Sequence, residues 1–187
     1  MFRHRRHRYK RVLGSMKSPR WRVSVENPRE TQPAGILPGR LYVGSAAQAH
    51  NWDLLTELKV THIVNACRGD NPFAAWISYC TCDLADTATE DLTDALQRSW
   101  NFIDCALKLH PRWVVFVHCN MGVSRSVALV SHYLMRSAGL SYNESMQLIR
   151  RCHPAAAPNA NFVQQLCAVE AQCVRDWEGE RAEREMM

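Results

Sequence analysis

No stretch of this chain is apolar and long enough to cross a bilayer, and it carries no secretory features. Its histidines and cysteines never fall into the paired spacing of a zinc site, and no segment repeats. These absences argue against a helical membrane protein, a disulfide-stapled secreted scaffold, a zinc module and a solenoid. Eight cysteines without secretory features read as free thiols in a reducing compartment, so a cytoplasmic or nuclear location is expected. With Phe2 after the first methionine, no N-myristoyl anchor is expected.

Acid is missing from residues 1–22, which hold nine of the 23 Lys and Arg. The other residues carry 14 basic against 18 acidic side chains, so the formal charge of +5 belongs to the N-terminal arm. Arg3, Arg5, Arg6, Arg8, Lys10 and Arg11, interrupted by His4 and His7, predict a disordered basic arm over residues 1–30. Such an arm suits contact with acidic lipid, nucleic acid or an import receptor, a mitochondrial presequence, or a solvated tail with no role.

The chain as a whole is 47% apolar and long enough for one well-filled core. We expect a single folded domain over residues 36–175 and a charged C-terminal tail over 176–187. An edge strand near Leu41 precedes a helix over 46–58, and further strands follow at 60–66 and 77–82. Leu92, Ala95, Leu96, Ser99, Ile103, Ala106 and Leu107 recur at helical spacing, and Trp113 to Val117 reads as a buried strand. The segment 127–135 is apolar nearly all round, as a buried helix is. Ser141 and Glu144 form a capping box, and Pro154 and Pro158 precede a last helix striped by Phe162, Leu166, Val169, Cys173 and Trp177. Strands alternating with helices predict an α/β fold with a central, mostly parallel sheet flanked by helices.

Between the buried strand and the buried helix lies His118-Cys119-Asn120-Met121-Gly122-Val123-Ser124-Arg125-Ser126. Backbone N–H groups from Asn120 to Arg125, at a helix start, have no intrahelical partners and can turn inward around an anion. Gly122 permits the curvature. A thiol ringed by those dipoles, with a guanidinium nearby, ionises below its free value, which makes Cys119 a thiolate nucleophile. Arg125 supplies a planar fork that matches two phosphoryl oxygens.

This stretch resembles the His-Cys-x5-Arg-Ser/Thr signature of the cysteine-dependent protein phosphatases, and its Ser-Arg-Ser ending resembles the atypical dual-specificity phosphatases among them. The resemblance runs from about Pro38 to Glu170. Leu41-Tyr42-Val43-Gly44-Ser45-Ala46-Ala47 is similar to the family's opening strand and turn, and Thr61-His62-Ile63-Val64-Asn65 to its second strand. Pro158-Asn159, with Phe162 and Gln165-Leu166, is similar to its final helix.

The resemblance implies a phosphocysteine intermediate on Cys119, with Arg125 and the loop residues Asn120, Met121, Gly122, Val123 and Ser124 binding the phosphoryl group. Ser126 would ease departure of the sulfur. The leaving oxygen needs a proton, and the family's general acid sits on a loop matching Cys82-Asp83-Leu84-Ala85-Asp86-Thr87. Asp86 is the expected residue and Asp83 the runner-up, while Glu90 and Asp91 read as first-turn helix residues. No cofactor and no metal are expected. Phosphoproteins, signalling kinases among them, are the implied substrates.

The loop offers no extra lysine or arginine for further phosphates, which disfavours inositol lipids. No long insertion deepens a cleft, so a shallow pocket for phosphotyrosine and phosphoserine or phosphothreonine is expected. Arg68 is a candidate rim residue for an acidic substrate flank, and Cys67, Cys80, Cys82 and Cys152 are candidate partners for an oxidised Cys119. A phosphopeptide-binding adaptor and an RNA 5′-phosphatase are the alternative readings.

Overall fold

The structure is a computed structural model that describes residues 32–186. The basic arm expected over residues 1–30 lies outside the described residues. Five strands, β1 (Ala34–Leu37), β2 (Leu41–Ser45), β3 (His62–Asn65), β4 (Ser78–Thr81) and β5 (Val115–Cys119), form one sheet in the order β1-β2-β5-β3-β4. Only the β1–β2 pair is antiparallel. The helices are α1 (Ala46–Ala49), α2 (Trp52–Glu57), α3 (Thr93–Leu109), α4 (Arg125–Ala138), α5 (Tyr142–Cys152) and α6 (Ala160–Met186).

Alternation along each strand divides the core into two layers. Val43, Val64, Val115 and Val117 face a large cluster with Ile103, Leu129, Leu134, Ile149 and Phe162 from the long helices. Ile63, Val114 and Phe116 face the opposite way, onto Ala49, Leu55 and Ile77. Both faces of β5 are therefore covered, which is why its sequence is a continuous apolar run ending in the motif.

Three expectations change. The Leu41 strand is not at the edge, because β1 pairs outside it through a turn in which Arg40 N–H donates to Leu37 O at 2.9 Å. Four residues hemmed by Pro33, Gly35 and the Pro38-Gly39 turn carry too little alternation to announce a strand. The helix over 46–58 is two helices. Ser45 and Gln48 close a capping box on α1, and Asn51 then caps α2, its side chain accepting from Leu54 N–H at 3.1 Å. A side chain that satisfies the backbone locally lets the chain turn between them.

Residues 176–186, set apart from the sequence as a charged tail, continue α6 as helix. Their charges are used along the helix and against its neighbours. Arg181 pairs with Glu185 at 2.9 Å, Arg136 on α4 with Asp176 at 3.4 Å, and Lys108 on α3 with Glu180 at 3.8 Å. Trp177 lies against Gly139, where a built Cβ would come within 2.7 Å of its ring. The described residues include no helix long and apolar enough to cross a membrane.

Candidate active site

Parallel pairing sets Cys119, the last residue of β5, beside Ser45 at the end of β2, and His118 beside both Gly44 and Asn65. The loop that follows rests on the β2 terminus. Ala46 N–H donates to Asn120 O at 3.2 Å, and Gly122, at φ +74, sits so close that an added Cβ would lie 2.6 Å from the Gly44 carbonyl carbon. Both the left-handed backbone and the contact require glycine there.

Cys119 is almost fully buried beneath this loop. Burial pushes its thiol up, but the Ser126 hydroxyl, donating to Sγ at 3.3 Å, the N–H groups of Ser126 and Gly122, and the Arg125 charge together bring it below its ordinary value. His118 is lowered as well, but here by burial itself. Burial dominates and lowers it to about 4, so a neutral imidazole stands behind the thiol.

Arg125 opens α4 with its guanidinium turned back over the loop, Nη1 donating to Leu84 O at 3.1 Å. Its Nε lies 3.5 Å from Asp86 Oδ2, a charge contact outside hydrogen-bond geometry. Asp86 Oδ1 accepts from Ser124 Oγ at 2.7 Å and from Asn159 Nδ2 at 2.6 Å. Asp83 goes elsewhere. With φ +52 it turns out to solvent, where its carboxylate meets Arg68 Nε at 3.3 Å. The two aspartates are thus separated by the cation each faces, and Asp86 is the one gathered with Arg125 and Ser124 of the loop that follows Cys119.

Cys67, Arg68, Leu84, Ala85, Asn120 and Arg125 line an open cavity of about 260 Å³ at this site. Met121 is 72% exposed at the loop tip, and Val123 is half-buried, its carbonyl accepting from Ala157 N–H at 3.0 Å. Arg68 stands at the rim, largely exposed. Cys67 is buried and held above its ordinary value, chiefly by burial, with Arg125 pulling it down and Cys119 pushing it up. Cys67 and Cys119 therefore lie within electrostatic reach of each other. Glu90 and Asp91 precede α3 instead of entering its first turn, and Asp91 Oδ1 accepts from Thr93 N–H at 2.9 Å.

Residues 153–159, between α5 and α6, contribute contacts that the sequence reading did not assign to the site. His153 Nε2 hydrogen-bonds Gly122 O at 2.8 Å, and Asn159 N–H donates to Ser124 Oγ at 3.1 Å, beside the Ala157 bond to Val123. This segment straps the loop along its outer side. Pro158-Asn159 is visible in the sequence as a helix start, but its reach to a loop more than thirty residues earlier has no local signal.

The loop that holds Cys119 and Arg125 lies in a domain with known relatives. The family model "Dual specificity phosphatase, catalytic domain" matches residues 41–172. "Dual specificity protein phosphatase 19" of Mus musculus is 35% identical over 133 residues, 71% of this chain and 60% of that protein. "Dual specificity protein phosphatase 1B" of Arabidopsis thaliana is 35% identical over 127 residues, 67% of this chain and 75% of that one. The crystal structure of DUSP15 superposes with a TM-score of 0.72 at 29% identity, covering 80% of this chain and 96% of that one. The chain belongs to the dual specificity phosphatase family, and residues 41–172 are its catalytic domain.

Proposed function

We propose that this protein hydrolyses phosphotyrosine and phosphoserine or phosphothreonine esters of proteins by two in-line displacements through a phosphocysteine. The observation that carries the reading is the place of Arg125, which lines the cavity while its charge acts on the depressed thiol of Cys119 and its Nε lies 3.5 Å from the Asp86 carboxylate. Cys119 Sγ attacks phosphorus as Asp86 protonates the departing oxygen. Asp86 then takes a proton from water, which displaces the sulfur. Arg125 and the N–H groups of the loop hold the equatorial oxygens through both steps. The Ser126 hydroxyl, already directed at Sγ, stabilises the thiolate that leaves in the second step.

Substrate class is read from the cavity mouth. Asn120 and Met121 are exposed and uncharged, so the loop offers no cation beyond Arg125 for additional phosphates. An open cavity of this size suits a phosphoryl group on an aromatic or a short aliphatic arm. Arg68 at the rim favours acidic residues flanking the phosphosite once it leaves Asp83.

The decisive experiment compares phosphopeptides, 5′-phosphorylated RNA and phosphoinositides side by side, using wild-type and Asp86→Ala protein. Phosphopeptides are expected to be turned over fastest. Asp86→Ala should slow phosphopeptides by about 10²–10⁴-fold and an activated aryl phosphate far less, because only a poor leaving group needs the proton. Equal losses on both substrates would remove Asp86 as the acid. Binding of phosphopeptide without turnover by the wild type would favour an adaptor instead.

The pH dependence has a definite sign. kcat/KM rises with pH as Cys119 ionises, and that limb lies below the ordinary thiol range because the thiol is depressed. It falls again as the proton needed by the leaving group is lost, giving a bell on which substrate ionisation is superimposed. A profile flat across both limbs, measured at constant ionic strength, would contradict the mechanism.

A further inference from the structure

We propose that Asn159, the cap of the last helix, is a positioning residue that orients the general acid Asp86 and directs its catalytic proton to Oδ2. This rests on the reading of Asp86 given above. The side-chain amide has two ends, and each is committed. Oδ1 accepts from Phe162 N–H at 3.0 Å, as an N-cap does at the third helical position. Because that N–H can only donate, the amide orientation is fixed and the NH₂ group must face Asp86. There Nδ2 donates to Asp86 Oδ1 at 2.6 Å.

Ser124 joins the same arrangement. Its hydroxyl accepts from the Asn159 backbone N–H at 3.1 Å, which leaves its own proton to donate to Asp86 Oδ1 at 2.7 Å. One carboxylate oxygen therefore receives two donors. A proton on Oδ1 would oppose both of them, so the proton needed for the leaving group belongs on Oδ2, the oxygen 3.5 Å from Arg125. Oδ2 is also the oxygen turned toward the cation that holds the phosphoryl group. Distinguishing the two oxygens makes Asp86 a directed acid.

The choice of residue supports a role beyond capping. Serine and aspartate serve as N-caps about as well as asparagine, and threonine somewhat less well, but none pairs a cap acceptor with an amide donor reaching a loop 73 positions earlier. Through this one side chain the start of α6 is tied to the loop carrying Asp86. Misplacing a reacting group by about 1 Å costs on the order of 10²-fold, so losing the tether should register in rate.

The test uses the full chain carrying Asn159→Ser or Asn159→Thr, each of which keeps a capping oxygen, together with Asp86→Ala and the corresponding double variants. With Asp86 present, either change should lower kcat on a phosphotyrosine peptide by at least about tenfold, short of the 10²–10⁴-fold for complete loss of the acid. Turnover of an activated aryl phosphate should stay within about threefold, since proton donation matters little there. In the Asp86→Ala background the same changes should add nothing. Equal losses on both substrates, or an undiminished loss without Asp86, would overturn the proposal and leave Asn159 a structural cap. If Asp86→Ala shows the leaving-group dependence and the Asn159 variants do not, only the positioning role fails. If Asp86→Ala shows none, the assignment of Asp86 and the positioning role fail together.

Discussion

Replacing Cys119 by serine is expected to reduce turnover of every phosphomonoester by at least about 10⁴-fold, as removal of a covalent nucleophile does elsewhere. The loss is chemical. Serine fits the space vacated by the thiol, and Ser126, Gly122 and Arg125 keep their places around it, so phosphopeptide affinity should persist within a few-fold. A hydroxyl in that setting stays protonated at neutral pH, whereas the thiol is depressed by the same Ser126 hydroxyl, N–H groups and guanidinium against the effect of burial. Rapid quenching of the wild type should trap a single phosphoryl adduct on Cys119, and the serine variant should show none. Retained hydrolysis by Cys119→Ser, or an adduct on another residue, would end the phosphocysteine reading.

Gly122→Ala is expected to disable the site by another route, through the backbone. A left-handed conformation costs a residue with a Cβ about 1–2 kcal/mol, and here the Cβ would also press on the Gly44 carbonyl carbon at 2.6 Å and its oxygen at 2.8 Å. Neither neighbour is the end of a flexible side chain. Relief requires the loop to lift from β2, which breaks the Ala46 N–H bond to Asn120 O and withdraws the Gly122 N–H from Sγ. A total destabilisation of about 3 kcal/mol is expected, with Tm lowered by roughly 6–12 °C for a chain of this size. Activity should fall even where the variant is still folded, because the thiol loses a donor that depresses it. A variant with wild-type Tm and turnover would show that the loop does not depend on this contact.

The loop that carries these effects was the most legible part of the chain, and the reason is local. A continuous β-branched run, a cysteine, a glycine able to turn and an arginine at a helix start specify strand, turn, anion nest and cation within a dozen residues. The Ser141–Glu144 capping box was equally plain, and it forms as expected, with Ser141 Oγ accepting from Glu144 N–H at 3.2 Å. Elements whose identity depends on neighbours were less visible. β1 is too short to show alternation and exists because β2 offers it a partner. The break between α1 and α2 turns on whether Asn51 spends its side chain on the backbone. The helical state of residues 176–186 accompanies pairing with α3 and α4 across the fold.

Asp83 and Asp86 show the same division at the site. Three residues apart in one loop, they carry the same chemistry, and the motif register alone favoured the second. Their surroundings separate them, since Asp83 swings out to Arg68 while Asp86 meets Arg125, Ser124 and Asn159. By itself, the sequence determined the α/β class and the strand, turn and helix start that hold Cys119 and Arg125, because hydrophobic period and turn chemistry act over a few residues. Tertiary structure decided which aspartate faces Arg125, which segment hydrogen-bonds the loop and that residues 176–186 continue the last helix, because those outcomes depend on groups brought together only when distant segments pack.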